Sequence, residues 1–182
     1  MLRLMLIVMT AATVTLVITA AFFCRTTATE ELDARAMKLY QAGKYEEAVA
    51  LWREGVAKYP QSARLHGGLG TMLAVRKEFA EAAEHLETAA RLDPKDPRHR
   101  RELALCLMQQ QRDVEAEREL KAAIALQEDF PELHFYLGMI YERRGDREGA
   151  LEEYVKELNG NPSCTFAWAK LHTWEKTASA AK

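Results

Sequence analysis

The sequence predicts an all-α chain: a solenoid of four stacked helical hairpins closed by a capping helix and preceded by a transmembrane helix. Three observations carry that expectation. Ala, Leu, Glu, Lys and Arg, all strong helix formers, dominate a chain that is 48% hydrophobic and 29% charged. Side-chain types recur every 34 residues between Thr29 and Cys164. Residues 4–24 carry no charge at all.

The bulk numbers also exclude function classes. With 182 residues and only five prolines the chain can build a core and is not a disordered tract. A formal charge of −2 leaves no basic excess for a phosphate backbone, so no nucleic-acid partner is expected. Cys24, Cys106 and Cys164 stand far apart with no Cys-x-x-Cys or Cys/His spacing, and read as small apolar fillers.

The first element is the uncharged run "LMLIVMTAATVTLVITAAFFC". As a helix it reaches about 31 Å, the thickness of a bilayer's hydrocarbon core. A cleaved signal peptide wants a shorter apolar region and a small-x-small site. Here two phenylalanines, Phe22 and Phe23, occupy that end, and Phe23 before Cys24 also spoils a lipoprotein reading. Residues 1–25 are therefore expected to be an uncleaved signal anchor, with 26–30 a short linker. Arg25, Arg35 and Lys38 follow the run while Arg3 precedes it, so charge does not set the orientation. The reading favours a bacterial inner-membrane protein with its domain in the periplasm. A cytoplasmic domain, or cleavage and secretion, is the alternative.

Helix formation resumes near Ala28, where Thr27 and Glu30 have capping-box spacing. From there four repeats are expected, 29–62, 63–96, 97–130 and 131–164. Ala48, Ala82, Ala116 and Ala150 share one column, and Trp52, Leu86, Leu120 and Tyr154 the next. Pro60, Pro94 and Pro162 close three repeats, whereas Glu128 holds that place in the other and Pro131 follows three residues on. Upstream columns comprise Ala36, Gly70, Ala104 and Gly138, then Leu39, Leu73, Leu107 and Tyr141, and also Leu69, Leu103, Leu137 and Leu171. The stretch "LHGGLG" (Leu65 to Gly70) resembles a phosphate or oxyanion loop, but the register puts it inside a helix. Gly70 then marks a close approach between helices, and Gly67 and Gly68 a local cost in helix propensity. Residues 165–178 place Trp168 and Leu171 as a first helix would and are read as the capping helix, with 179–182 a tail.

These columns resemble the tetratricopeptide repeat over about Thr29 to Cys164. The clearest copy is "LHFYLGMIYERRGDREGALEEYVKELNGNP", with Leu137, Gly138, Tyr141, Gly145, Ala150, Tyr154 and Pro162. Lys77 and Gln111 depart from it by replacing the turn glycine, and Asp113 and Arg147 by replacing the aromatic matched by Tyr45 and Phe79. Those departures are expected to loosen individual turns. The resemblance implies a right-handed superhelix with a concave groove lined by the first helix of each pair. It implies groove positions at Tyr40, Arg64, Thr71, Arg98, Arg101, Leu105, Met108, Phe135, Met139 and Glu142. "PRHRRE" (Pro97 to Glu102) is the one dense basic cluster, and positive charge sits badly at a helix N-terminus, which favours a binding role. Gly67 and Thr71 stand where chaperone-binding members of the family carry carboxylate-clamping Lys and Asn, so that activity is not carried over.

Nothing in the sequence points to catalysis. His66, His85, His99, His134 and His172 never pair at metal-ligand spacing, and no Ser sits in a nucleophile elbow. No cofactor and no small-molecule substrate are expected. The leading reading is a membrane-tethered interaction module that captures a protein or extended peptide segment. Bacterial proteins of similar design assist cytochrome c maturation, secretion, and pilus or envelope assembly. A structural subunit working through its convex face, or an accessory subunit of an enzyme complex, is the alternative.

Overall fold

The computed structural model describes residues 27–180. The uncharged run 4–24 lies outside them. Among the described residues no helix is long and apolar enough to cross a membrane. The described chain is a succession of helices: α1 (27–41), α2 (Tyr45–Lys58), α3 (Ala63–Val75), α4 (Phe79–Leu92), α5 (Pro97–Gln109), α6 (Asp113–Leu126), α7 (Leu133–Arg143), α8 (Arg147–Gly160) and α9 (Thr165–Ala180). By compactness the chain divides into two units, Met1–Gly68 and Leu69–Lys182, and the division falls within α3.

In the first unit the expected signature residues are inside. Ala36 and Ala48 are fully buried, and Trp52 is 2% exposed. The indole N–H of Trp52 donates to Asp33 Oδ1 at 2.9 Å, which satisfies its one polar atom. Gly68 has a packing reason that the sequence did not show. A β-carbon there would stand 2.5 Å from Trp52 Nε1, so the bulky column member in one repeat demands a bare backbone in the next helix.

In the second unit successive helices pack in chain order, α4 on α5, α5 on α6, α6 on α7, α7 on α8 and α8 on α9. Ala82, Ala116, Ala150, Leu86, Leu120 and Tyr154 are all fully buried, as are Leu73 and Ala104, with Leu69, Leu103 and Leu137 almost so. Gly70 would place a β-carbon 2.6 Å from Leu86 Cγ, and Gly138 one 2.6 Å from Tyr154 Cε1. The small-residue column therefore meets the second helix of its own repeat. Pro94 and Pro162 lie exposed just past helix ends, where a ring that cannot continue a helix does no harm. Cys106 is buried, and burial with Glu102 nearby pushes its thiol up to about 12, the state of an inert filler.

The turns inside the hairpins repeat in every copy. Gly43, Lys77, Gln111 and Gly145 have φ values of +75°, +65°, +61° and +80°. The next residue's N–H, on Lys44, Glu78, Arg112 and Asp146, donates to the carbonyl of Leu39, Leu73, Leu107 and Tyr141 at 2.9 to 3.0 Å. That is the Schellman closure. Lys77 and Gln111 thus do not loosen their turns. They are held in the left-handed region at a conformational cost that glycine avoids.

One junction breaks the register. The connection before α5 is 93–96 and that before α9 is 161–164, but the one before α7 runs 127–132 and leaves Glu132 at φ +69°. This is where Pro131 has slipped. Helix α7 has no cap of its own. Glu157 from α8, 3% exposed, accepts the backbone N–H of Glu132 at 3.0 Å and of Phe135 at 3.4 Å in its place.

Candidate functional site

The basic cluster at the start of α5 is consumed internally. Asp96 caps the helix by accepting Arg98 N–H at 2.9 Å, and the Arg98 guanidinium grips the same carboxylate at 2.6 Å. Burial would raise the Asp96 carboxyl, but the hydrogen bonds from Arg98 outweigh it and hold it below the usual range. Arg100 pairs with Glu119 at 2.8 Å, while Arg101 pairs with Glu102 at 2.7 Å and lies 5.0 Å from the Phe130 ring centroid. The electrostatic mismatch at this N-terminus is therefore met by carboxylates of the fold, although Arg100 Nε is left buried without a hydrogen-bond partner.

Repetition extends to these charges. Arg100 with Glu119, and His134 with Glu153 at 2.6 Å, occupy the same two register positions one repeat apart, the partners nineteen positions from each other. Both acids are buried, 7% exposed each. Periodicity of apolar residues could not reveal this column, although the 34-residue offset of the two pairs was readable.

The other expected groove residues fall into three groups. Met108 and Phe135 are buried, 5% and 7% exposed, and are corrected from surface to core. Phe135 packs with Ala150, Tyr154, Leu158, Cys164 and Ala167, its ring 5.8 Å from that of Tyr154. A second group is engaged in ion pairs or ring contacts. Glu142 takes Lys170 at 2.7 Å and the Tyr154 hydroxyl at 2.8 Å, and these donors hold its carboxyl low against the raising effect of burial. In the first unit Arg64 lies 3.6 Å from Glu30 and 3.8 Å from Asp33, and the Tyr40 ring stands 5.5 Å from that of Tyr45. The third group is Thr71, Leu105 and Met139. They share a register column with Met37 and Thr173, and no member of that column is buried. Leu105 and Met139, on the first helices of consecutive pairs, are half-buried apolar side chains, Met139 packing at the edge of the core cluster.

The chemistry is that of a surface. Among the described residues no group of three or more His, Cys, Asp or Glu side chains could hold a metal ion. Helical pairs in fixed register, each burying its alanine column against its neighbours, define a helical-repeat protein. A tetratricopeptide repeat family model matches residues 34–97 and 114–162, and a second one matches 73–134. The chain belongs to the tetratricopeptide repeat family. Three solved structures of MamA share the fold. One crystal structure has a TM-score of 0.69 at 21% identity over 73% of this chain and 78% of that one. Another has 0.71 at 21% over 77% and 76%. MamA from residue 41 to its end, from Desulfovibrio magneticus RS-1, has 0.68 at 22% over 75% and 77%. Identities this low carry the fold alone. No curated protein sequence matches the chain.

Proposed function

We propose that this chain is a membrane-anchored protein-interaction module that captures a partner segment along its first helices. The observation that carries the reading is the column Met37, Thr71, Leu105, Met139 and Thr173, in which no side chain is buried and Leu105 and Met139 stay half-buried apolar groups. An extended segment laid across successive first helices would meet an apolar side chain at Leu105 and again at Met139, with charged pairs beside them. The uncharged run 4–24 supports the anchor by its length. Tethering at a bilayer raises the effective concentration of partner and domain, so modest affinity suffices. A periplasmic domain serving envelope, cytochrome or secretion assembly is the context this design suits, and no catalytic role is assigned.

A second reading has its own observation. On α8, Leu151 and Val155, one helical turn apart, are 44% and 42% exposed on the second helix of the fourth pair. A structural subunit docking through its second helices would use them.

Photo-crosslinking in native membranes separates the two. A benzoylphenylalanine at Leu105 or Met139 is expected to trap a partner, and Leu105→Lys with Met139→Lys to abolish capture of the same partner. Capture from Leu151 and Val155 alone would overturn the first-helix reading. Extraction at alkaline pH tests the anchor separately, since a spanning chain stays in the pellet and a released one refutes it.

A further inference from the structure

On α7 the side chains of Tyr136 and Met139, three residues apart, share one face and pack half-buried at the edge of the core cluster. The buried Phe135 ring lies 5.4 Å from that of Tyr136 and 5.8 Å from that of Phe166 on α9, which is 62% exposed. Leu105, one repeat earlier on α5, is the half-buried apolar group at the register position of Met139. The first-helix stripe thus widens into an aromatic patch where α7 meets α9.

Charge complementarity selects the occupant first. The ionic side chains beside the stripe are spent on one another, Arg101 on Glu102 at 2.7 Å, Glu142 on Lys170 at 2.7 Å and Arg143 on Asp113 at 2.6 Å. A charged segment would give up water there and meet only neutralised pairs, so the complementary segment is uncharged. Spacing selects next. Helices α5 and α7 touch directly, and helices in contact run about 8–10 Å apart, so equivalent side chains on them repeat at about that interval. A β-strand returns to the same face every two residues, after about 7 Å. Polyproline II returns every three residues, after about 9 Å, and that interval matches. Segments in this conformation are also recognised by aromatic-lined grooves.

We propose that the segment captured along the first helices is an uncharged polyproline-II stretch of a protein partner. Its apolar residues, three apart, seat on Leu105 and Met139, and its prolines lie against Tyr136 and Phe166. This assignment rests on the first-helix reading and gives the captured segment its conformation, charge and spacing. The two fail separately. If none of the peptides below binds while photo-crosslinking at Leu105 or Met139 still traps a partner, the assignment falls and the first-helix reading stands. If crosslinking there traps nothing, both fall.

The full chain, methyl-labelled in detergent micelles, is titrated with capped Pro-Leu-Pro-Pro-Leu-Pro-Pro, with its permutation Pro-Pro-Leu-Pro-Leu-Pro-Pro, and with the first peptide carrying glycine for every proline. The Leu105 and Met139 methyl resonances are followed by NMR. The first peptide should shift both to saturation. The permuted and glycine peptides should bind at least about fivefold more weakly, because one loses an anchor and the other its preorganisation. Flanking the first peptide with two aspartates or two arginines should gain nothing. Phe166→Ala should weaken binding by about fivefold, the worth of one aromatic contact, and Phe166→Tyr should retain it. Silent methyls, equal affinity for the permuted or glycine peptide, a clear gain from either charge, or full affinity in Phe166→Ala would overturn the proposal.

Discussion

The bare backbone of Gly138 lies against the ring of Tyr154, so close that a β-carbon on the glycine would stand 2.6 Å from Cε1 and 3.2 Å from the Ala150 carbonyl. Tyr154 is fully buried, with Phe135 and Trp174 rings at 5.8 and 5.7 Å, and cannot swing aside. Gly138→Ala should therefore destabilise the fold although alanine is the better helix former. Overpacking costs about 1–3 kcal/mol and the propensity gain returns about 1, which leaves a loss of up to about 2 kcal/mol. The urea midpoint, with circular dichroism as probe, reads it directly, and a raised midpoint, as the propensity gain alone would give, would refute the close contact.

The left-handed turn residues predict the opposite sign. Lys77 and Gln111 hold φ values that glycine adopts freely. Lys77→Gly and Gln111→Gly should each stabilise by about 0.5–1 kcal/mol, while Gly43→Ala and Gly145→Ala should lose a similar amount. Thermal unfolding of the four variants should rank them in two groups either side of the parent.

Glu157→Ala removes the borrowed cap of α7. The amides of Glu132 and Phe135 would lose their carboxylate partner in a site where Glu157 is 3% exposed. The expected loss is about 2 kcal/mol, at the upper end for helix caps because the group is buried. Hydrogen exchange should accelerate at residues 132 and 135 ahead of the helix interior, whereas uniform acceleration along α7 would contradict a capping role.

Acid should weaken the second unit in a defined window. Burial raises Glu117, Glu142 and Glu153, but donors outweigh it and all three lie below the ordinary 4.5. A lowered folded value means the unfolded chain takes up protons first as pH falls. Their stabilisation is complete above that range, and is lost progressively as pH drops from about 4.5 through the folded values. Denaturant midpoints should be flat from neutrality to about pH 5.5 and fall below it. Glu142→Gln should flatten part of that slope.

Much of the fold was legible because interlocking hairpins impose one set of steric demands at every step. Ala82, Ala116 and Ala150 recur since each must admit the same neighbour, and a column of identical demands is visible without coordinates. What escaped depends on partners rather than on periodicity. Arg98, Arg100 and Arg101 looked like a free basic patch because Asp96, Glu102 and Glu119 were not recognised as their counterions. Phe135 looked like surface because the family's groove positions were transferred without knowing that Tyr154 on α8 and Ala167 on α9 pack against it, and Met108, 5% exposed, was transferred in the same way. Gly68 looked like a mere cost until Trp52 was seen against it. The left-handed Glu132 before α7 was hidden altogether, since it exists only where the repeat pattern slips.

The pairing between α6 and α7 has a consequence of its own. Arg143 meets Asp113 at 2.6 Å, Arg144 reaches Glu117, and Lys121 shares that same carboxylate at 2.7 Å. The Arg144 and Lys121 side chains are 36% and 55% exposed, within reach of dissolved counterions. Electrolyte, with no change of residue, tunes the ionic part of the clasp between the third and fourth hairpins. Concentrated brine should therefore loosen the last hairpin more than dilute buffer does.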